Sequence, residues 1–270
     1  MPAADRAIDR SRERDLLAAA VREAGALALT TFQGSPKQWR KGESSVVCEA
    51  DIAVDDFLRG RLGGSGHGYA WLSEETEDDP ARLGANTVWI VDPIDGTRSY
   101  LAGRPDWVIS AALAVDGRPV LAALFAPVSE ELFLATAGGG ATRNAVPIAA
   151  SSGDGLDGAK IGGPKRIFER LAQLNVPVSP MPRIGSLALR LARVAHGELD
   201  AAFAGGASHD WDLAAADLLV HEAGGVLTDM NGRQLVYNRS DPVHGALIAA
   251  GRARHLTLLA LLHEQPAITA

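Results

Sequence analysis

The sequence lacks several things that would narrow its chemistry at once. It has one cysteine, Cys48, in 270 residues. No intrachain disulfide can close, and no cysteine-rich zinc site can form. Cys48 itself is expected as a small buried apolar side chain. Basic charge is not in surplus: 26 Lys and Arg stand against 33 Asp and Glu, a formal net charge of -7. That balance argues against broad electrostatic binding to nucleic acid. No stretch approaches the roughly 18 uninterrupted apolar residues of a membrane-spanning helix. Met1 to Arg14 is rich in Asp and Arg and lacks the apolar run of a signal peptide. A cytoplasmic protein with neither a nucleic-acid nor a membrane partner is the expectation. His-Glu-x-x-His, Gly-x-Ser-x-Gly and a Walker-type Gly-Lys-Ser/Thr are all absent.

What is present is an ordinary globular composition, 47% hydrophobic and 22% charged, able to bury a substantial core. Leu17, Ala20, Val21, Ala24, Leu27 and Thr31 recur at spacings of three and four, predicting an amphipathic helix ended by Gly34-Ser35-Pro36. A second helix is predicted from Asp51 to Leu62. Tyr69 to Leu72 and Thr87 to Val91 read as strands, and Val108 to Val115, Val120 to Phe125 and Glu131 to Ala135 as an antiparallel meander. Gly138 to Gly158 is rich in Gly, Ala, Ser and Asp, which places a joint there between halves 1–150 and 151–270. The second half alternates: strands near Lys160, Val178, Ala201, Val226 and Ala246, with helices from Arg166, Ser186, Trp211 and Arg252 between and after them. The pattern is a mixed α/β layered protein.

Three acidic clusters carry the chemical information. In Trp89-Ile90-Val91-Asp92-Pro93-Ile94-Asp95-Gly96-Thr97 an apolar strand leads into two carboxylates three residues apart. Such neighbours repel unless a cation neutralises them, and hard oxygen ligands suit Mg²⁺. A plain Asp-Pro and Asp-Gly turn explains the segment equally well. Haloacid-dehalogenase-type phosphatases also place two aspartates after a strand, but with one residue between them. Two intervene here, so in an extended strand Asp92 and Asp95 would not share a face. The second cluster is Ser73-Glu74-Glu75-Thr76-Glu77-Asp78-Asp79, in which Glu74 and Glu75 follow an apolar run while the last three residues read as a solvated loop. The third is His209-Asp210-Trp211-Asp212, opening a helix of small residues; capping accounts for Asp210, and the small Ala face would let Asp212 approach a shared site. Trp39, Trp71, Trp107 and Trp211 are read as core or pocket-lining aromatics.

With these clusters in order, the chain resembles the inositol monophosphatase superfamily of lithium-sensitive phosphatases. The resemblance covers nearly the whole chain. It rests on Ala50-Asp51, Ser73-Glu74-Glu75-Thr76, Asp92-Pro93-Ile94-Asp95-Gly96-Thr97, and Trp211-Asp212 followed by Glu222-Ala223-Gly224-Gly225. It implies an αβαβα sandwich of two closely joined halves, a possible homodimer, and a small phosphorylated metabolite as substrate. It further implies Glu74, Asp92, Asp95, Asp212 and the Ile94 carbonyl as ligands of two or three Mg²⁺ ions, with Li⁺ as an inhibitor. Asp51 and Thr97, with Glu74, would orient and deprotonate the attacking water. Asp95, Gly96, Thr97, Gly185, Ser186, Leu187 and Asp212 would contact substrate, and Lys41 would tune the local charge. A non-enzymatic member acting through protein or RNA contacts is the alternative of another class.

The chain departs from the family pattern in places. Cys48 stands where a Thr is usual, and Ala145 follows Asn144 where a Gly is usual. Gly205 occupies the position at which inositol-specific members carry a Glu, which removes one reason to prefer inositol. The stretch Asp95 to Pro105 resembles the histidinol-phosphatase and bisphosphate-nucleotidase branches equally well. Inositol monophosphate and 3'-phosphoadenosine 5'-phosphate are the expected substrate types, with histidinol phosphate and other sugar phosphates as alternatives.

Overall fold

A computed structural model describes residues 10–41, 45–64 and 68–263. The long amphipathic stripe forms α1 (Ser11–Leu29). A short hairpin follows, β1 (Gln38–Lys41) and β2 (Ser45–Cys48), and runs directly into α2 (Glu49–Gly63). The first sheet takes its strands in chain order: β3 (Ala70–Ser73), β4 (Thr87–Asp95), β5 (Val108–Val115), β6 (Arg118–Ala126), β7 (Glu131–Thr136), β8 (Gly140–Arg143) and β9 (Val146–Pro147). Among the described residues of this sheet, only β3 and β4 pair in parallel. From β4 onward the pairing is antiparallel, as the meander reading expected. A single turn of helix, α3 (Thr97–Leu101), leaves the end of β4.

The second sheet comprises β10 (Lys160–Gly162), β11 (Ser179–Pro180), β12 (Ala201–His209), β13 (Gly225–Asp229) and β14 (Val243–Gly251), in the order β11-β10-β12-β14-β13. Its helices are α4 (Lys165–Gln173), α5 (Leu187–Ala195), α6 (Asp210–Glu222) and α7 (Arg252–His263).

Strand alternation explains the layering. On β4, Trp89 and Val91 join the apolar cluster built with Leu17, Val21, Val54 and Leu58 of α1 and α2. Val88 and Ile90 point the other way, into a cluster with Leu191 of α5, Leu219 of α6 and Leu247 of the second sheet. Phe203 and Ile248 on the outer face of that sheet pack with Leu171 of α4 and Leu258 of α7. The order is helices, sheet, helices, sheet, helices: the expected αβαβα sandwich. Ala214, Ala215 and Ala216 are all buried, which lets α6 lie close against both sheets. No helix among the described residues is long and apolar enough to cross a membrane.

Candidate metal and phosphate site

The site forms where β4, α2 and the starts of α5 and α6 meet. Asp92 has the parity of Val88 and Ile90, so it faces the layer of α5 and α6. The register then shifts: Asp92 pairs with Ser110, but Asp95 pairs with Val108. Three residues on β4 therefore oppose two on β5. This one-residue bulge resets the alternation, because residues opposite each other in an antiparallel pair share a face. Asp95 lies on the same face as Val108, which is the face of Asp92. The extended-strand expectation that the two carboxylates diverge is corrected by this bulge. Pro93, inside it, has no N–H to lose from the ladder. The next N–H, of Ile94, donates to Asp92 Oδ1 at 3.0 Å.

Asp212 reaches the same place from α6. It is the third residue of that helix, and its Oδ2 accepts the His209 N–H at 2.6 Å. Asp92, Asp95 and Asp212 each bring a carboxylate oxygen to a point where all three lie within 4.8 Å of one another. Glu74 extends the β3 ladder through its N–H to Val91 O at 3.3 Å and lines the same cavity.

Burial and mutual repulsion dominate the electrostatics. Glu74 is pushed up to about 8, first by burial, then by Asp212, Glu75, Asp51 and Asp95. Asp212 is pushed up to about 7 by burial and by Asp95. Asp92 is raised well above the carboxylate range by burial and by Glu74. Asp95 and Asp51 are raised by burial as well. An all-oxygen set of acids that resist ionising together fits a hard divalent cation such as Mg²⁺.

Asp51, buried at the third position of α2, closes half of a capping box by accepting the Cys48 N–H at 2.7 Å. That bond comes from the backbone, so a Cys at this position leaves it intact. The Cys48 thiol is itself buried and pushed up to about 12, first by burial. The other oxygen of Asp51 lies 3.1 Å from Thr97 Oγ1, which is also 3.1 Å from Ile94 O. One hydroxyl proton thus has two acceptors. Gly96 precedes it at φ 100, and a Cβ there would come within 3.1 Å of Asp106 O and 3.2 Å of Ser186 N. Only glycine fits that close approach.

The residues expected to contact substrate divide. Asp95, Gly96, Thr97, Gly185 and Asp212 line a cavity of about 590 Å³. Ser186 does not: it is fully buried, caps α5 by accepting the Leu189 N–H, and donates its hydroxyl to Asp95 Oδ2. Leu187 packs into the central core. Asp95 Oδ2 also accepts the Ala188 N–H at 2.6 Å. The start of α5 therefore orients a carboxylate. The side chain of Lys41 lies outside the described residues. Gly205 is not on the cavity wall; after a bulge in β12, Ala207 is.

Other expectations are corrected too. Asp210 does not cap α6. It is fully buried, with Oδ1 2.7 Å from His244 Nε2 and Oδ2 accepting the Asn238 N–H. Asp78 is more than a solvated loop residue, because it forms a two-pronged ion pair with the buried Arg82. Trp107 is core, but Trp39 is 46% exposed. Asp55, which the sequence did not single out, accepts the hydroxyls of both Ser73 and Thr76 and so holds the segment carrying Glu74 from both sides. Its i+4 spacing from Asp51 on α2 was the available signal.

Comparison with known proteins agrees with this fold. A curated inositol-1-monophosphatase of Mesorhizobium japonicum is 34% identical over 219 residues, 76% of this chain and 80% of that one. The Nus factor SuhB of Salmonella typhimurium is 31% identical over 202 residues, 72% of this chain and 75% of that one. In structure, the extragenic suppressor protein suhB of Bartonella henselae superposes with a TM-score of 0.83 at 26% identity, covering 94% of this chain and all of that one. The profile of the inositol monophosphatase family matches residues 9–267, and the chain belongs to that family.

Proposed function

We propose that this protein is a Mg²⁺-dependent phosphatase that hydrolyses a phosphate monoester of a small metabolite, of the inositol monophosphate or 3'-phosphoadenosine 5'-phosphate type. The observation that carries the reading is the convergence of Asp92, Asp95 and Asp212 within 4.8 Å, beside Glu74, on the wall of an open cavity. Glu74, Asp92, Asp95, Asp212 and the Ile94 carbonyl would hold the ions. Bound there, magnesium neutralises the phosphate, lowers the pKa of water and stabilises the departing oxygen of an in-line displacement.

The chain supplies orientation and proton transfer. Gly96 and Thr97 present the start of α3 to the phosphate, and the N–H groups of such a turn favour an anion. Thr97 Oγ1 accepts a proton from the attacking water and passes its own to Asp51 Oδ1. Burial raises Asp51 and so favours its holding that proton. Ser186 and the Ala188 N–H keep one oxygen of Asp95 engaged, leaving the other directed at the site. No covalent enzyme intermediate is required.

Phosphate release from a panel of esters, with Mg²⁺ and with a chelator, tests this. Magnesium-dependent release supports it, and no release from any ester overturns it. That negative result would favour the non-enzymatic reading, to which the similarity to proteins named Nus factor SuhB lends weight.

A further inference from the structure

Glu74 and Asp212 reach the site from different sheets, and a chain of hydrogen bonds joins the segments that carry them. Glu74 sits in the loop after β3, and Asp212 in the first turn of α6, which follows β12. The link is built on two residues. Arg82 belongs to the short 3₁₀ turn Pro80–Gly84, and Asn238 to the loop between β13 and β14.

Arg82 is only 2% exposed. A guanidinium withdrawn from water needs partners for its charge and for its N–H groups. Its Nε and Nη2 donate to the two oxygens of Asp78, in the loop that carries Glu74, at 2.5 and 2.9 Å. Its Nη1 turns to the loop of the other sheet, donating to Asn238 Oδ1 at 2.8 Å and to Arg239 O at 3.0 Å. Asn238 Nδ2 donates in return to Arg82 O at 3.1 Å. Bonds therefore run in both directions between residues far apart in the chain.

Asn238 passes the constraint on. Its N–H donates to Asp210 Oδ2 at 2.7 Å, while Asp210 Oδ1 lies 2.7 Å from His244 Nε2. The Asp210 N–H donates to Pro242 O at 2.9 Å. These three bonds set where α6 begins, and Asp212 shares that first turn. Asn238 has a φ of 58°, in the left-handed region that asparagine tolerates better than most residues. In that conformation its N–H meets Asp210 while its side-chain amide meets Arg82.

The acidic cluster gives such a tie a purpose. Like charges repel, so without a cation Glu74 and Asp212 favour separation. A frame that resists this keeps the ligands at binding distance before the cation arrives, and less freedom is lost on binding. We infer, building on the magnesium reading, that Arg82 and Asn238 are positioning residues: the chain Asp78–Arg82–Asn238–Asp210 fixes the loop of Glu74 against the start of α6, and so raises the magnesium affinity of a cavity that neither Arg82 nor Asn238 lines.

Mg²⁺ alone, titrated by calorimetry into chelator-stripped protein well below its Tm, tests this. Asn238→Gly keeps the N–H to Asp210 and accepts the left-handed φ, removing only the two side-chain bonds to Arg82. It is expected to weaken magnesium binding by about 3- to 30-fold. Arg82→Gln should weaken it at least as much. Because bound ions themselves hold the carboxylates together, kcat at saturating magnesium should stay close to wild type in Asn238→Gly. Arg254→Gln is the control: Arg254 is also a buried arginine, bonded to Ser151 Oγ and Gly155 O and paired with Asp200, away from the acidic cluster. It should lower Tm without moving magnesium affinity. Wild-type affinity in Asn238→Gly, or an equal loss in Arg254→Gln, overturns the inference and leaves the magnesium reading standing. No saturable binding by the wild-type protein overturns both.

Discussion

Asp92 and Asp95 share one face of β4 because a single extra residue separates their pairings with Ser110 and Val108. Inserting one residue between Val108 and Ile109 on β5 would pair off the extra residue of β4 and return Asp95 to the opposite parity. Loss of Mg²⁺ binding and of phosphate release is the expected result, measured by titration calorimetry and a phosphate assay. The more conservative Asp95→Asn keeps the hydrogen-bonding shape and removes the charge. Its rate should fall by more than the roughly 10- to 100-fold that loss of an outer-shell partner costs. Circular dichroism and thermal melting of Asp95→Asn should remain close to wild type.

Ser186 and Asp55 act one layer out from the carboxylates. Ser186→Ala removes the hydroxyl on Asp95 Oδ2, and Asp55→Asn weakens the grip on Ser73 and Thr76. Each is expected to raise the Mg²⁺ concentration needed for half-maximal phosphate release by about 10- to 100-fold, with a smaller effect once magnesium saturates. An unchanged magnesium requirement in both variants would contradict the positioning roles.

The acidic cluster makes the chelated protein sensitive to alkali. Glu74 and Asp212 are held up at about 8 and about 7, above their ordinary values. A carboxyl raised in the folded chain stabilises it fully below its ordinary pKa. That contribution is lost as pH rises through the raised value. The Tm measured in chelator should therefore fall between roughly pH 5 and pH 9. Added Mg²⁺ should raise Tm, and by more at the alkaline end, because the cation takes the place of the protons.

Glu131 has the opposite sign. Despite its burial, Arg193 and Arg143 hold it down at about 2; Arg193 meets both of its oxygens and so ties α5 to β7. Its contribution is present above about 4.5 and is lost as pH falls towards about 2. Glu131→Gln should cost about 1–3 kcal/mol at neutral pH by urea unfolding, and the difference from wild type should shrink in acid.

Asn144 and Ala145 form the two-residue turn between β8 and β9, both at positive φ, 49° and 65°. Ala at such a position carries a left-handed penalty of about 1–2 kcal/mol, partly offset by the lower chain entropy of alanine when unfolded. Ala145→Gly should raise stability by up to about 1 kcal/mol, as measured by chemical denaturation, without altering activity.

The sequence made the helices, the meander and the acidic clusters visible because each has a local signal: a period of three to four, a period of two, or charge beside an apolar run. Features that depend on distant partners were not visible. The bulge depends on pairing with β5, and burial of Asp210 on His244, 34 residues away. Ser186 adjoins Gly185, which lines the cavity, but that its hydroxyl turns to Asp95 follows from the packing of α5 against β4 and has no local signal. The β1–β2 hairpin was missed for a simpler reason: four-residue strands in Gln38 to Cys48 are too short for alternation to show.

The central claim is electrostatic, and titration of Mg²⁺ into chelator-stripped protein in two buffers of different ionisation enthalpy, near about pH 7, tests it most directly. Saturable binding with release of protons is predicted, because carboxyls held up by one another ionise when the cation arrives. No saturable binding, or binding with no proton released, would contradict the account.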